Sequence, residues 1–390
     1  DCLLSRGLGD VYKRQVEERI AFASLRGRIL KIYLKGWRAS FIRPSAYKNQ
    51  QRFSSSIGLE CLQRAENNSA AIGIVGGYRM ASDELDRKYS AHEGRVFMSG
   101  TQALVRLPMV QMRRDREAGL NTGAFISGYR GSPLGGYDQH LMKARRELEA
   151  EGIVFRPGVN EDLAATAVWG SQQASVSPGF RKDGVVGIWY GKGPGVDRSG
   201  DVFKHANAAG SSRHGGVLAI AGDDHGAKSS TVPHQSDHAF MAAVMPMLYP
   251  SSIHEFVEFG LAGIAMSRYS GCWVGMKVIA DTVETTASVD LSGEGRIFVE
   301  PGDFQLPADG LNLRVPDDRW AQDNRLQTYK AYAAIAFARA NRLDRVTLDS
   351  TDARLGIIAS GKAYEDVRQA LKELGCLLYT SPSPRDKRQS

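Results

Sequence analysis

The sequence predicts an α/β protein: a doubly wound parallel sheet with helices on both faces, followed by the start of a second α/β domain. Two observations predict it. Short runs rich in Val, Ile, Ala and Gly recur between residues 122 and 281, each ending in a Gly-, Pro- or polar-rich loop, and helical stretches separate them. Ligands of such sheets sit at the carboxyl ends of the strands, and the notable polar clusters of this chain fall in those loops.

In chain order, "TGAFISGY" is the first such strand, ending in "RGSPLGGYD" before a helix over about 139–151. "GIVFRPG" is the second, followed by a helix opening at Glu161. "GVVGIWYG" is the third, followed by the glycine loop "KGPGVDRSGD" and the small-residue stretch "VFKHANAAG". "GGVLAIAGDD" is the fourth and leads into the polar loop "HGAKSSTVPHQSD". The helical stretches "HAFMAAVMPML" and "IHEFVEFGLAGIAMSRY" precede the fifth strand, "CWVGMKVIAD". A Pro/Gly/Asp-rich stretch over 293–318 leads to the helix "RLQTYKAYAAIAFARANRL". "ARLGIIASGKAYEDVRQALKEL" then opens a new strand–loop–helix unit.

The ends read differently. Residues 1–15 and 376–390 resemble translated sequencing-adapter read-through, specifically in "DVYKRQ" and "CLLYTSPSPRD". Residues 16–79 are Arg- and Ser-rich with poor periodicity, and are expected to be translated upstream sequence or a disordered leader. The expected organisation is therefore a folded first domain over 80–292, a linker and helical extension over 293–350, and the start of a second domain over 351–375.

Charge and cysteine usage narrow the function classes. The formal charge is +7, yet residues 1–79 carry 14 Lys/Arg against 6 Asp/Glu and residues 376–390 carry 3 against 1. The remaining body has 33 against 36, so no basic groove for nucleic acid is expected there. Of the four cysteines, only Cys272 lies in the body, which rules out an internal disulfide or an iron–sulfur cluster within it and points to a reducing, cytoplasmic setting. No apolar stretch is long enough to span a membrane; "AFMAAVMPMLYPSSI" is short and broken by Pro246 and Pro250.

Several clusters invite chemistry. The loop Gly128–Asp138 allows close backbone approach but lacks the G-x-G-x-x-G spacing. "YGKGPGVDRSGD", with Lys192, Arg198 and Lys204 near it, lacks a P-loop ending and reads as a structural loop at a domain or subunit contact. His234 and His238, four apart, would share a helix face near Asp223, Asp224 and His225, a candidate metal set, although no Glu follows His234. Glu161 and Asp162 open an otherwise apolar helix, where either serves the helix dipole.

Taken together, "RVFMSGTQALVRLP", "GYRGSPLGGYD", "GVNEDLAATAVWGSQQ", "WYGKGPGVDRSGDVFKHANAAG" and "AGDDHGAKSSTVPHQSDHAF" closely resemble the N-terminal part of the fused indolepyruvate ferredoxin oxidoreductases, over about residues 85–375. These are thiamine-diphosphate-dependent 2-oxoacid oxidoreductases. The resemblance implies that the first domain binds the cofactor's pyrimidine. Glu161 would contact ring N1′ and favour the imino tautomer that draws the C2 proton, a step helped by an apolar wall from the helix after it. Asn160, Gly131 and Pro133 would border the cofactor. Ser132 and Arg130 stand where relatives carry Thr and Pro in a Tyr-Pro-x-Thr-Pro motif, which makes them substrate candidates together with His225, Lys228 and Ser229. No metal ligand is expected in this chain: magnesium, the diphosphate site and the 4Fe-4S clusters would belong to missing C-terminal domains.

The implied reaction decarboxylates a 2-oxoacid, passes electrons to ferredoxin and the acyl group to coenzyme A. The parent would be a homodimer and this fragment alone inactive. Two alternatives stay open, a metal-dependent hydrolase built on the Asp/His cluster and a non-catalytic interaction module.

Overall fold

A strand buried on both faces needs apolar side chains on both, and "VLAIAGD" supplies them without a break. In the computed structural model, which describes residues 87–228, 231–349 and 355–376, this run is the centre of a six-stranded sheet. The expected tails (1–15 and 376–390) and leader (16–79) lie outside the described residues, apart from Cys376.

In chain order the elements are β1 (Arg95–Ser99), α1 (Gly100–Glu117), β2 (Thr122–Gly128), α2 (Tyr137–Lys143), β3 (Ile153–Phe155), α3 (Glu161–Gln173), β4 (Gly184–Lys192), α4 (Gly193–Arg198), α5 (Gly200–Ala209), β5 (Val217–Asp223), α6 (Asp237–Ala242), β6 (Met247–Leu248), α7 (Phe256–Ser270), β7 (Val274–Ile279), β8 (Thr286–Asp290), α8 (Ala331–Ala340) and α9 (Lys362–Glu373). The large sheet has the order β3-β2-β4-β5-β7-β6 with every pairing parallel. β1 and β8 form a separate antiparallel pair.

Pleating sends neighbouring residues to opposite faces, and the core splits accordingly. Tyr190, Leu218 and Ile220 join the cluster made with α1, α2 and α7, whereas Trp189, Val217, Ala219 and Ala221 join the one made with α3, α5 and α6. The doubly wound architecture expected from sequence is the one observed. α1 opens with a capping box, Ser99 accepting from Gln102 N while the Gln102 side chain accepts from Ser99 N.

Four elements differ from expectation. The helix expected over 139–151 is interrupted at Ala144 and resumes as Arg145–Ala150. "HAFMAAVMPML" is helical only to Ala242; Val244 has a positive φ, and Met247–Leu248 then pair with β7 as an edge strand. Leu355–Ser360 forms no strand, because no other strand among the described residues lies beside it, although α9 forms as expected. The helix expected over 325–343 starts earlier, as Arg319–Arg325 capped by Asp318, and carries a π-turn, Leu326–Lys330, before α8. That bulge turns Lys330 inward, where Nζ donates to the carbonyls of Asn207 (3.1 Å) and Ala208 (2.8 Å) at the end of α5.

Burial pushes the Lys330 ammonium down to about 8 from 10.5. Between those values the unfolded chain holds a proton that the native chain does not, so Lys330 makes stability rise with pH across that window. The full effect is about 3 kcal/mol. Cys272, raised to about 11 by burial, acts in the opposite sense, so the test is a difference: urea midpoints of wild type minus Lys330→Met, followed from pH 7.5 to 10, are expected to climb.

Candidate active site

The carboxyl ends of β2, β4, β5 and β7 share one edge of the sheet. β2 connects outward to β3, and β3 connects back across it to β4, so the winding reverses between β2 and β4. A crevice at such a reversal is where doubly wound sheets bind ligands.

β2 ends at Gly128, where any side chain would overlap the Tyr190 carbonyl and ring of β4. Tyr129 N donates to that carbonyl (3.1 Å), and the chain turns away through Arg130, Gly131, Ser132 and Pro133. Arg130 is exposed, Gly131 and Ser132 are half-buried, and Pro133 is buried after a cis bond. A methyl group on Gly131 would lie 2.9 Å from Lys192 Cβ, so this loop packs on the end of β4. The Tyr190 hydroxyl donates to Asp138 at the start of α2 (2.5 Å); burial, with that bond, holds the phenol well above its usual range.

The opposite wall is the start of α3. Asn160 caps it, its side-chain oxygen accepting from Leu163 N (2.8 Å). Trp189, fully buried, donates its indole N–H to the Glu161 carbonyl (2.9 Å). The Glu161 side chain is half-buried and rests on the junction of β4 and α4: a methyl group on Gly195 of α4 would sit 2.9 Å from its Cδ and Oε1, and one on Gly191 of β4 3.5 Å from its Cγ. Its carboxylate has no hydrogen-bond or ion-pair partner among the described residues. The expected wall from α3 itself is corrected by this geometry. Ala164, Ala165 and Val168 face the sheet and Leu163 is 53% exposed, so glycine backbone flanks Glu161 instead. The "KGPGVDRSGD" stretch is likewise not an open loop; it winds directly into α4 and α5.

At the tip of β5 lies a charged group that sequence reasoning did not isolate. Asp223, fully buried, accepts from Ser236 N (2.8 Å) and Oγ (2.6 Å). Lys277 of β7, 3% exposed, places Nζ 3.5 Å from Asp223 and 2.7 Å from Asp237, beneath the Tyr249 ring. Burial opposes ionisation of Asp237, but its hydrogen bond to Lys277 and that ammonium's charge hold it below the ordinary carboxylate range. The legible signal was one lysine inside the otherwise uncharged run "VGMKVI" of β7.

His225 and Lys228 are exposed on the loop after β5, and Ser229 lies outside the described residues. His225 borders an open cleft of about 730 Å³ with Tyr249, Asp281, Lys362 and Asp366. Partial desolvation against the loop, and then the Lys277 charge, push its imidazole below the usual value. The metal set expected from His234 and His238 is not assembled. His234 precedes α6 while His238 lies on it and is exposed, and Asp223 is occupied by Ser236 and Lys277. Among the described residues no three His, Cys, Asp or Glu side chains are placed to hold a metal. No helix of the described residues is long and apolar enough to cross a membrane.

No family model matches the chain. It is 25% identical over 309 residues to the indolepyruvate oxidoreductase subunit IorA of Methanothermobacter thermautotrophicus, covering 77% of this chain and 46% of that protein. The IorA subunit of Methanothermobacter marburgensis is 26% identical over 294 residues, covering 75% and 43%. The chain thus spans less than half the length of these relatives. Among solved structures it is similar to a 2-oxoglutarate:ferredoxin oxidoreductase from Magnetococcus marinus, at 13% identity and a TM-score of 0.47, over 74% of this chain and 55% of that one. At about a quarter identity over three-quarters of its length, the chain is a distant relative of the indolepyruvate oxidoreductase IorA subunits.

Proposed function

We propose that residues 80–292 form the pyrimidine-binding part of a thiamine-diphosphate-dependent 2-oxoacid oxidoreductase, acting on an arylpyruvate-type substrate, with Glu161 as the acid that meets ring N1′. The observation that carries this reading is the seat of Glu161. It is a half-buried carboxylate at the winding reversal, lying on glycine backbone, with no protein partner among the described residues. Asp115 and Asp223, the more deeply buried acids of this domain, are each engaged by cations and hydroxyl groups. An acid kept apart from protein donors is available to a ligand. The IorA relatives support the class of reaction.

The residues fit such a ring. The glycines at this site are packed by the chain's own side chains, Gly191 by Trp189, Gly193 by His234, Gly195 by Glu161 and Gly131 by Lys192, so they seat the acid closely and leave its unpartnered carboxylate as the group offered to a ring. When bound, thiamine diphosphate would supply the nucleophilic carbon and the electron sink for decarboxylation. The chain's own part is positional. Trp189 fixes the backbone of Glu161, whose place in the first turn of α3 sets it at the positive end of the helix dipole, and glycine backbone flanks one side of it. Glu161 then holds or shares a proton at one defined oxygen. Ser132, with Arg130, His225 and Lys228 on the loops beyond, are the groups proposed to meet the oxoacid; Asn160, Gly131 and Pro133 would border the ring. Magnesium, iron–sulfur clusters, ferredoxin and coenzyme A would be bound by other domains of the assembled enzyme, which we take to be a cytoplasmic homodimer.

Glu161→Gln keeps shape and removes the acid. In the chain reconstituted with a diphosphate-binding domain, turnover is expected to fall at least about a hundredfold with an unchanged circular dichroism spectrum. Undiminished turnover removes Glu161 from the mechanism. A second variant separates the seat from the acid. Gly→Ala inside a helix ordinarily adds up to about 1 kcal/mol of stability, but at Gly195 the new methyl group displaces the Glu161 side chain. Gly195→Ala is therefore expected to cost activity about tenfold or more, while its melting temperature stays within a few degrees of wild type, since overpacking costs about 1–3 kcal/mol against that gain.

A further inference from the structure

The loop between β5 and α6 closes at its neck, and one side chain reaches out of it. Ser236 binds both oxygens of Asp223, and His234 N donates to the Asp224 carbonyl (3.3 Å), which holds the two ends of the loop together. The His234 imidazole leaves this neck and lies on Gly193, where a methyl group would overlap Nδ1 and sit 2.9 Å from Cε1. Its Nε2 is 2.7 Å from Asp197 Oδ2; a carboxylate only accepts, so Nε2 carries the proton. Asp197 belongs to α4, the helix whose Gly195 seats Glu161.

The other ring nitrogen is informative. His234 Nδ1 is buried with no hydrogen bond, 3.6 Å from Asp223 Oδ1. A buried nitrogen left without a partner costs stability, so a need to fill space does not select histidine here; an apolar side chain of similar size would fill it without that cost. What an apolar side chain lacks is the bond to Asp197.

We infer that His234 is a positioning residue that ties the loop carrying His225 and Lys228 to the junction on which Glu161 rests, so that the two walls of the site move as one. The catalytic meaning of this tie rests on the function proposed above, whereas the tie itself is a property of the apo chain.

Hydrogen–deuterium exchange on the full chain tests it without an activity assay. His234→Ala is expected to speed exchange about tenfold in three places at once, 231–236, 191–198 and 160–164, the size expected for one lost charge-assisted bond, while 256–270 stays as in wild type. His234→Gln retains a donor toward Asp197 and is expected to restore wild-type rates. Gly193→Ala pushes the ring away and should reproduce the alanine pattern, with His234→Ala adding little on top of it. A rise confined to 231–236 overturns the inference, as does an equal rise in 256–270 or a failure of glutamine to rescue. Intact turnover in Glu161→Gln would sink the functional reading and leave these exchange rates untouched.

Discussion

Two adjacent side chains of β4 hold the site together. Trp189 points to one face of the sheet and donates to the Glu161 carbonyl at the start of α3; Tyr190 points to the other and donates to Asp138 at the start of α2. The pleat alone forces this division, because neighbouring residues on a strand cannot face the same side. One dipeptide therefore fixes the N-termini of both helices that flank the winding reversal. The indole and phenol are also the polar ends of large buried rings, Trp189 edge-on to Phe203 and Tyr190 edge-on to Tyr137, so each hydrogen bond is anchored in a different half of the core. A slip of one residue in β4 would exchange the two faces and undo both anchors.

Glycine completes that arrangement in a way no other residue permits. Gly128 lets β2 pass against Tyr190, and Gly191 near the end of β4 with Gly195 in α4 lets Glu161 lie on the junction between them. These are close approaches of backbone to side chain, made where positive φ is not required. These glycines are thus spatial rather than conformational devices, and the helices α4 and α5 begin at once after β4 because nothing at the junction needs an unusual backbone.

Much of this was legible in the sequence. The four buried strands β2, β4, β5 and β7 were, since apolar runs bounded by glycine or polar loops read the same way in one dimension as in three, and so was the short edge strand β3. The start of α3 at Glu161 was also legible, because Asn160 is a strong cap and the residues after it favour helix. The β1–β8 pair was not: its strands are nearly two hundred residues apart, and only tertiary structure brings Arg95 opposite Asp290. The two-residue β6 was hidden inside a helical pattern that Pro246 ends. The π-turn before α8 was hidden for another reason, since Lys330 reads as a surface lysine until α5 is seen to end beside it. At the site, spacing suggested that His234 and His238 face one way, but spacing carries that meaning only within a helix, and α6 starts after His234.

The distribution of charge argues for a division of labour along the strand tips. At β5 and β7 the buried charges are mutually satisfied. Asp223 and Asp237 share the single ammonium of Lys277, which leaves one negative charge in excess, and Ser236 donates to both oxygens of Asp223, an arrangement that is costly to open and specifies a single loop geometry. At the start of α3 the reverse holds, with a carboxylate brought out of bulk water and given no protein cation. Burial of an acid without a partner is unfavourable, and a fold tolerates it where the deficit is small, as at a helix N-terminus, or where a ligand makes it good. The first condition also covers Asp162. Only Glu161 rests against glycine at the reversal between β2 and β4, and that asymmetry between neighbouring acids is why Glu161, and not Asp162, is the residue proposed for chemistry.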